Sequence, residues 1–452
     1  MRKMETPSEF ADFGGQMCAL DVVLAYENTP SKADEILSAH FYLSPKYKGY
    51  SRICQFIFLT LLRNLSLLNA AIKNFSPRPP RKKLKALLLA AAAECLAGEN
   101  KKAAQVSHAW VGAAKRLFSP AEAKFVNAFL RKFPEFVDAV WRLEDSPENL
   151  ELKYGCPAWL AKRWIGQFGI GAALKILRLS QRPSRVFFRK SRLAEADAQF
   201  SNFANYFENS KFENFYALKS GNWEKVSHLL QTPYFYVQDP STSRGPKMLA
   251  PSAGKSYLDL CAAPGGKSRL IADLMLEDFA RRNANANALR RFEGTLVSVD
   301  CGKKRMELLG ENMSKSLLKS AVLVECDLLG ESLEEKLDDA GIQTPFDGVF
   351  LDAPCSNTGV LRRRPDARWR LSESDISNCK KIQSEMLKKA AKFVRPGGKM
   401  LYSTCSVERA ENEENVGEFL EAFPEFRLVC GQTFLPEEEA DGCGAFLLEK
   451  KL

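Results

Sequence analysis

The chain has 452 residues, of which 45% are hydrophobic and 27% charged, so we expect two or more globular domains that each bury a sizeable core. These proportions exclude a mostly disordered or fibrous protein, and the length excludes a small disulfide scaffold. The net charge is +10, and its basic excess lies within residues 1–250, which favours a polyanionic partner about as much as a merely soluble basic surface.

The cysteines and histidines bear on compartment and metal binding. The twelve cysteines include no Cys-x-x-Cys pair, and there are only three histidines. Residues 1–10 lack the apolar core of a secretory signal, and the longest apolar run, residues 86–97, is too short to span a bilayer. We therefore expect reduced thiols in a cytoplasmic protein that binds no metal and enters no membrane.

The first third of the chain is predicted to be helical. From residue 15 to about residue 140, apolar residues recur at helical spacing and alternating β-branched residues are scarce, which predicts an all-α helical bundle. A PRPP sequence at residues 77–80 interrupts it, and the Ala/Leu-rich residues 86–97 have the composition of a buried helix. The basic residues 81–85 are more typical of a solvated helix start than of an RNA contact.

The middle of the chain has mixed patterns. The segment from Pro157 to Trp164 predicts an amphipathic helix that starts at a proline. Residues 187–192, with the sequence FFRKSR, interleave aromatic and basic side chains, a pattern that ordinary packing explains more often than contact with RNA. Residues 232–240 predict a short strand and a turn.

The last part of the chain predicts an open, mostly parallel α/β sheet of the doubly wound type, because short apolar strands alternate with helical segments. The predicted strands are residues 257–261, 295–299, 321–325, 348–351 and 399–403, with an antiparallel edge strand at residues 445–449.

The first of these strands leads into a turn with the sequence LDLCAAPGGKS at residues 258–268. Open α/β sheets bind ligands at such carboxyl ends, and the following helix offers free N–H groups to a carboxylate or phosphate. The turn matches neither the dinucleotide motif nor the P-loop. The next strands end near Asp300, Asp327 and Asp352. Each aspartate alone could cap the helix that follows its strand, but three in succession favour a shared site for a polar, adenosine-type ligand.

Two cysteines follow the fourth and fifth strands of the predicted sheet: Cys355 in DAPCSNTG and Cys405 in STCSV. Because neighbouring parallel strands end at the same edge, we expect the two thiols to lie side by side. Such a pair beside a ligand-binding turn favours chemistry over packing. A thiolate that attacks C6 of a cytosine ring makes C5 able to accept a methyl group.

The motifs at residues 258–267, 351–360 and 403–407 closely resemble the signature motifs of the Sun (Fmu, RsmB) family of RNA cytosine-C5 methyltransferases. Residues 125–131 look like the end of the NusB-like domain of the bacterial 16S rRNA members, and residues 154–163 look like the start of the family's accessory subdomain. The domains that this resemblance implies are an N-terminal all-α NusB-like helical bundle that binds RNA (1–140), a small accessory RNA-binding subdomain (141–240) and a C-terminal Rossmann-like class I S-adenosylmethionine-dependent methyltransferase domain (241–452).

The resemblance also implies residue roles. Asp300 would hold the ribose of S-adenosylmethionine, Asp327 would lie beside the adenine, and Asp352 would lie between the methionine moiety and the target cytosine. Cys405 would be the nucleophile, and Cys355 would assist release of the methylated product. The residues of the cofactor turn would be Cys261, Ala262, Ala263, Pro264, Gly265, Gly266 and Lys267.

One segment departs from the family pattern, because Arg364 stands where the family commonly has a histidine. Arginine keeps a positive charge there but does not exchange a proton near neutral pH. The base that removes the C5 proton is not identified by the sequence, and water, a carboxylate or the Cys355 thiolate are all open.

The function that follows is methylation of cytosine C5 in RNA, with 16S rRNA as the preferred substrate, by a monomeric protein. A tRNA substrate is one alternative, because site choice depends on RNA shape. A ribosome assembly factor with secondary methyl transfer is another. A nucleotide-dependent oxidoreductase is disfavoured by the missing Gly-x-Gly-x-x-Gly motif and by the paired cysteines.

Overall fold

The computed structural model describes residues 13–97, 103–283 and 292–452, so residues 1–10, where we expect no secretory signal, lie outside it. The chain forms two compact units. The first comprises Met1–Arg182 together with Leu361–Arg370, and the second comprises Pro183–Val360 together with Leu371–Leu452. The division into three domains at residues 140 and 240 stays a prediction.

The first unit is helical, as predicted. The apolar faces of several helices meet in its core, where Leu61, Leu88 and Phe129 are among the buried residues. Residues 86–93 are all buried in one helix, which confirms the prediction from their Ala/Leu composition. The helices are α1 (Gly14–Asn28), α2 (Ala33–Leu43), α3 (Ser51–Arg63), α4 (Leu65–Phe75), α5 (Lys82–Ala97), α6 (Ala103–Leu117), α7 (Pro120–Trp141), α8 (Pro147–Tyr154) and α9 (Ala158–Gln181).

The second unit begins with a small antiparallel sheet of strand order β2-β3-β1-β4. Its first strand holds the FFRK sequence, and both phenylalanines are buried in apolar clusters. Arg189 forms a buried ion pair with Asp273, and Lys190 pairs with Asp197. Both cations thus pair with carboxylates of the same unit, which agrees with ordinary packing, the explanation favoured above over contact with RNA. The elements are β1 (Phe187–Lys190), α10 (Ala194–Ser201), β2 (Phe207–Asn209), β3 (Phe215–Leu218), α11 (Trp223–Val226), β4 (Phe235–Val237) and α12 (Arg244–Leu249).

A larger sheet of strand order β10-β11-β9-β8-β5-β6-β7 follows. Strands β7, β6, β5, β8 and β9 are parallel, and the order reverses between β5 and β8, the point at which doubly wound sheets bind ligands. The elements are β5 (Ser256–Leu260), α13 (Gly266–Arg282), β6 (Thr295–Asp300), α14 (Lys303–Ser314), β7 (Ala321–Glu325), α15 (Leu333–Asp339), β8 (Phe346–Asp352), α16 (Glu373–Ala391), β9 (Val394–Thr404), α17 (Glu413–Ala422), β10 (Phe426–Phe434) and β11 (Cys443–Lys450).

All six predicted strands are present, but the prediction that residues 445–449 form the edge strand is wrong. They lie in β11, which pairs with β9 on one side and with β10 on the other. The sequence analysis missed β10, the strand at the edge. Leu428, Val429 and Cys430 on β10 are exposed, so this strand lacks the apolar pattern by which buried strands are recognised.

A segment that follows the Cys355 motif belongs to the helical unit. Arg368 in this segment is fully buried, and its guanidinium donates to the carbonyls of Tyr154, Gly155 and Ser180 at 3.1–3.3 Å. Trp369 Nε1 donates to the Leu62 carbonyl at 2.6 Å. The segment is held because one cation donates to three buried carbonyls near helix ends, of which that of Tyr154 also accepts from the side chain of Gln181.

Among the described residues, no single helix is both long and apolar enough to cross a membrane. One bent pair, Pro45–Arg63 with Leu65–Phe75, meets the criteria of length and composition jointly, with a 79° bend between its halves.

We predict that Arg368→Met destabilises the protein by about 3–5 kcal/mol, because it leaves several buried carbonyls without a donor. Urea denaturation followed by circular dichroism measures the change. The control is Arg364→Met in the same segment, where the side chain is exposed, and we expect a change within about 0.5 kcal/mol. Equal effects of the two substitutions would contradict the role given to Arg368.

A buried carboxyl lies in the first strand of the large sheet. Asp259 on β5 is fully buried, its Oδ2 accepts from Ser268 Oγ at 2.5 Å, and its Oδ1 has no partner among the described residues. Burial raises the pKa of Asp259 to about 8. The folded protein therefore holds a proton on Asp259 at pH values where the unfolded chain releases it.

This difference predicts the pH dependence of Asp259→Asn. Between the unfolded pKa near 4 and the folded pKa of about 8, Asp259 costs the wild type about 1.4 kcal/mol of stability for each unit of rising pH. The asparagine variant lacks this loss, so its stability relative to the wild type should increase between pH 5 and pH 8 in urea titrations. Asp339→Asn at an exposed site is the control, and a pH-independent difference for Asp259→Asn would refute the assignment.

Candidate active site

The predicted cofactor turn lies at the carboxyl end of β5. Cys261 and Gly265 have positive φ angles of 61° and 104°, so the backbone turns sharply between the strand and α13. Burial raises the pKa of the Cys261 thiol, and the charges of Asp300 and Asp352 add to this rise. Cys261 is therefore held as a neutral thiol and is a poor candidate for a nucleophile.

Side chains packed against the two glycines of the turn leave little room for a Cβ. A Cβ at Gly265 would come within 3.1 Å of Leu309 Cδ1, and a Cβ at Gly266 would lie 3.0 Å from Tyr236 Cε1. The N–H groups of Gly266, Lys267 and Ser268 at the start of α13 have no acceptor in the described part of the chain. The helix therefore offers free donors to an anionic group.

Asp300 ends β6 and holds the turn in place. Its Oδ2 accepts from the Ala263 N–H at 2.7 Å, and its Oδ1 accepts from the Cys301 N–H at 2.8 Å. The Arg305 guanidinium bonds both oxygens, at 2.6 and 2.7 Å. Since these four donors fill the acceptor positions of a carboxylate, a ribose hydroxyl can bind only by replacing one. Arg305 is the donor able to leave, because its side chain is 54% exposed.

The other two predicted carboxylates lie at the same edge of the sheet. Asp327 follows β7, is exposed and accepts from the Leu329 N–H at 3.0 Å through Oδ1. Asp352 ends β8, and its Oδ1 accepts from Lys267 Nζ and from Ser403 Oγ, the latter at 2.8 Å. No described residue donates to Oδ2 of either aspartate, so each keeps one oxygen for a ligand.

The two predicted cysteines are brought together. Cys355 Sγ lies 3.0 Å from Cys405 Sγ, and Cys405 Sγ lies 3.2 Å from Asn357 Oδ1. The hydrogen bond with Cys405 and burial raise the pKa of Cys355 well above its usual value, and the charge of Glu411 contributes. Cys355 therefore keeps its proton and can donate it towards the Cys405 sulfur.

Lys267 points away from the free N–H groups of its own helix. Its ammonium forms an ion pair with Asp352 and lies 3.4 Å from Ser403 Oγ, two residues before Cys405. Burial opposes the charge of Lys267, but attraction to Asp352 and the hydrogen bond with it prevail and raise the lysine pKa above its usual value. This edge of the sheet thus holds a fixed positive charge beside a thiol.

The structure adds residues that the sequence analysis missed. Arg305 bonds Asp300, Asn357 adopts a φ of 63° to accept from Cys405, and Glu411 lies behind both cysteines. The SNTG sequence signals a turn around Asn357. Arg305 and Glu411 each stand in a stretch of charged residues that would be expected at the surface. No local sequence pattern distinguishes them from their neighbours.

Two family models match the chain. The model described as 16S rRNA methyltransferase RsmB/F matches residues 246–445, and the model described as the NusB family matches residues 17–135. The first range contains all the predicted site residues and the large sheet except most of β11, and the second lies within the helical unit. The expected pairing of a NusB domain with a Rossmann-like methyltransferase domain is confirmed.

Curated relatives carry matching names. The "Probable ribosomal RNA small subunit methyltransferase B" of Bacillus subtilis is 30% identical over 312 residues, which are 67% of this chain and 64% of the relative. The ribosomal RNA small subunit methyltransferase B of Yersinia pseudotuberculosis is 30% identical over 333 residues, which are 71% of each chain. The chain thus spans less than two thirds of the length of the Bacillus relative and slightly more than two thirds of the length of the Yersinia relative.

A solved structure shares the fold. The crystal structure of PH0851 superimposes with a TM-score of 0.71 over 99% of this chain and all of that chain, at 23% identity. This likeness concerns the fold alone. The match to the Yersinia relative and the two family models lead to one conclusion: the chain belongs to the RsmB/F family of 16S rRNA methyltransferases.

Proposed function

We propose that the protein transfers a methyl group from S-adenosylmethionine to C5 of a cytosine in 16S rRNA, acting as a monomer in the cytoplasm. The observation that carries this proposal is the pair of thiols 3.0 Å apart at the carboxyl ends of β8 and β9, with the Lys267 ammonium 3.4 Å from Ser403 Oγ, two residues before Cys405. Such an arrangement suits a thiolate nucleophile. The name of the family and the names of the relatives support rRNA as the substrate.

The residues of the turn fit S-adenosylmethionine, the cofactor that the family implies. The free N–H groups at the start of α13 suit its carboxylate, and Asp300 suits its ribose once Arg305 moves aside. Asp327 keeps one exposed carboxylate oxygen for the adenine amino group. When bound, the cofactor supplies an electrophilic methyl group.

Cys405 is the proposed nucleophile that attacks C6 of the cytosine. Lys267 stabilises the Cys405 thiolate by its charge, and the Cys355 S–H donates a hydrogen bond to the same sulfur. Attack would form a bond between the Cys405 sulfur and C6 and leave C5 electron-rich. C5 could then take the methyl group that S-adenosylmethionine would supply, with its sulfur–methyl bond breaking and S-adenosylhomocysteine leaving. The target base must be unpaired or flipped out to expose C6.

Asp352 is proposed to orient the cytosine. Lys267 and Ser403 occupy its Oδ1 and fix the carboxylate, which leaves Oδ2 for the exocyclic amino group of the base. A carboxylate that accepts from this N4 amino group favours cytosine over uracil, because uracil presents an oxygen at that position.

Release requires loss of the C5 proton and departure of the Cys405 sulfur. As the proton leaves C5, its bonding electrons restore the C5–C6 double bond and the carbon–sulfur bond breaks. Cys355 is held as a thiol, so it suits donation to the departing sulfur better than removal of the proton. Water or a carboxylate is then the base.

Substitution of the two cysteines tests the reaction. The protein is incubated with tritiated-methyl S-adenosylmethionine and either unmodified small-subunit rRNA or total tRNA. We expect label in 5-methylcytosine of the rRNA, its loss in Cys405→Ala, and a stable protein–RNA adduct in Cys355→Ala because the departing sulfur lacks its donor.

The controls for this test are cofactor binding and the second RNA pool. Both variants should keep the rise in melting temperature that S-adenosylhomocysteine gives the wild type. Label in tRNA alone would favour a tRNA enzyme. Binding of cofactor and rRNA without any label would favour an assembly factor and count against the proposed reaction.

Lys267→Met is expected to slow alkylation of Cys405 by iodoacetamide at pH 7, because it removes a positive charge that favours a nearby thiolate. Peptide mass spectrometry resolves Cys405 from the other cysteines. Lys304→Met, which removes an exposed charge near the same edge, should leave the rate unchanged. Equal rates in all three proteins would remove Lys267 from the mechanism.

A further inference from the structure

A single carboxylate connects the loops that carry the two cysteines. Each cysteine is followed by a serine, and Oε1 of Glu411 accepts from the hydroxyls of both Ser356 and Ser406, the latter at 2.8 Å. Oε2 of Glu411 accepts from the Ser356 N–H at 3.0 Å. The residue after Cys355 and the residue after Cys405 therefore share one anchor.

The anchor is itself fixed on other sides. Gln383 Nε2 on α16 donates to Glu411 Oε2 at 2.8 Å and to the Pro354 carbonyl at 2.9 Å. The Tyr402 hydroxyl on β9 donates to the Glu411 carbonyl at 2.7 Å. Glu411 is fully buried. Its carboxylate is therefore rigid.

The loops need such an anchor because the strand ladder ends before the cysteines. The last paired residues of β8 and β9 are Asp352 and Ser403, followed by a bond from the Ala353 N–H to the Ser403 carbonyl. Beyond it, one backbone bond joins the loops near the sulfurs, from the Gly359 N–H to the Cys405 carbonyl at 3.0 Å. Side chains supply the other connections. Thr358 Oγ1 accepts from the Val407 N–H at 3.1 Å, and the hydroxyls of Ser356 and Ser406, which lie 3.2 Å apart, both donate to the Glu411 carboxylate.

A simpler explanation is that Glu411 is a buried polar residue whose hydrogen bonds only offset its own burial and have no role in placing the cysteines. A buried carboxylate is costly, however, and burial raises the pKa of Glu411 against the opposing effect of its hydrogen bonds. An apolar side chain would fill the same space without this cost. The direct bonds to the neighbours of both cysteines give the carboxylate a specific task.

We propose that Glu411 is a positioning residue, whose carboxylate joins the two cysteine loops through Ser356 and Ser406 and so sets the separation of the Cys355 and Cys405 sulfurs. This inference deepens the proposed function and rests on it for the effect on catalysis. The effect on sulfur separation does not depend on methyl transfer.

The test measures sulfur separation by cross-linking, without cofactor or RNA. Diamide converts two adjacent thiols to a disulfide: the thiols lose two protons and two electrons, and the diazene becomes a hydrazine. Mass spectrometry follows the peptide that joins Cys355 to Cys405. We expect cross-linking in Glu411→Ala to be at least about tenfold slower than in the wild type, because loosened loops lower the effective concentration of one thiol at the other.

Glu411→Gln separates anchoring from charge. The amide oxygen can accept from the Ser356 N–H and from Gln383, while the amide N–H groups donate to the two serine hydroxyls. The connection survives, so cross-linking should stay within about threefold of the wild type. Glu414→Ala, which removes an exposed carboxylate from the start of α17, is the matched control and should cross-link at the wild-type rate.

Kinetics provide the second measurement. In Glu411→Ala, kcat should fall about 10- to 100-fold while KM for S-adenosylmethionine stays within about twofold. A folded Glu411→Ala that cross-links at the wild-type rate would overturn the proposal, and so would a Glu411→Gln as slow as the alanine variant.

Two further outcomes are also decisive. If Glu411→Ala does not fold, Ser406→Ala removes one contact of the same carboxylate, and an unchanged cross-linking rate there would refute the proposal. If the wild type transfers no methyl group to RNA, the proposed function fails while cross-linking still decides the role of Glu411.

Discussion

The site depends on the parallel pairing of β8 with β9. In-register hydrogen bonds place Asp352 opposite Ser403, so the loops that follow must leave the sheet side by side. That constraint delivers Cys355 and Cys405 to one point, although 49 residues separate them along the chain. Lys267 reaches the same point from α13 because β5 pairs with β8 on its other side. Three sequence motifs thus meet at one site because the strands that carry them are neighbours in the sheet.

Charge at this edge is arranged in fixed pairs. Lys267 with Asp352, and Arg305 with Asp300, each combine a cation with a carboxylate at the end of a strand. The first pair is largely shielded from water, whereas the arginine of the second is half exposed. Shielding strengthens the field of Lys267 at Cys405. Because Arg305 is exposed, its side chain can move away from Asp300 when a ligand binds. The two similar ion pairs therefore suit different roles.

The chain path gives the motif after Cys355 a second role. Six residues beyond Cys355, the chain joins the helical unit as Leu361–Arg370. Arg368 holds it there by bonding helix-end carbonyls, which explains why this charged residue is wholly buried. The family difference at Arg364 falls on an exposed side chain of the same segment. Arg368, which matters for stability, therefore lies four residues after Arg364, the position at which the sequence departs from the family pattern.

Hydrophobic periodicity and strand-end motifs are local properties, so they were enough to predict the helical first part, six strands of the large sheet and the side-by-side placement of the two cysteines. The sequence did not determine β10, whose exposed residues carry no apolar pattern. It also did not reveal the contacts of Arg305, Arg368 and Glu411, since a charged residue that finds a buried partner looks like a solvated one in the sequence. These roles become visible in the folded chain, because burial and hydrogen-bond partners depend on segments that are distant in the sequence.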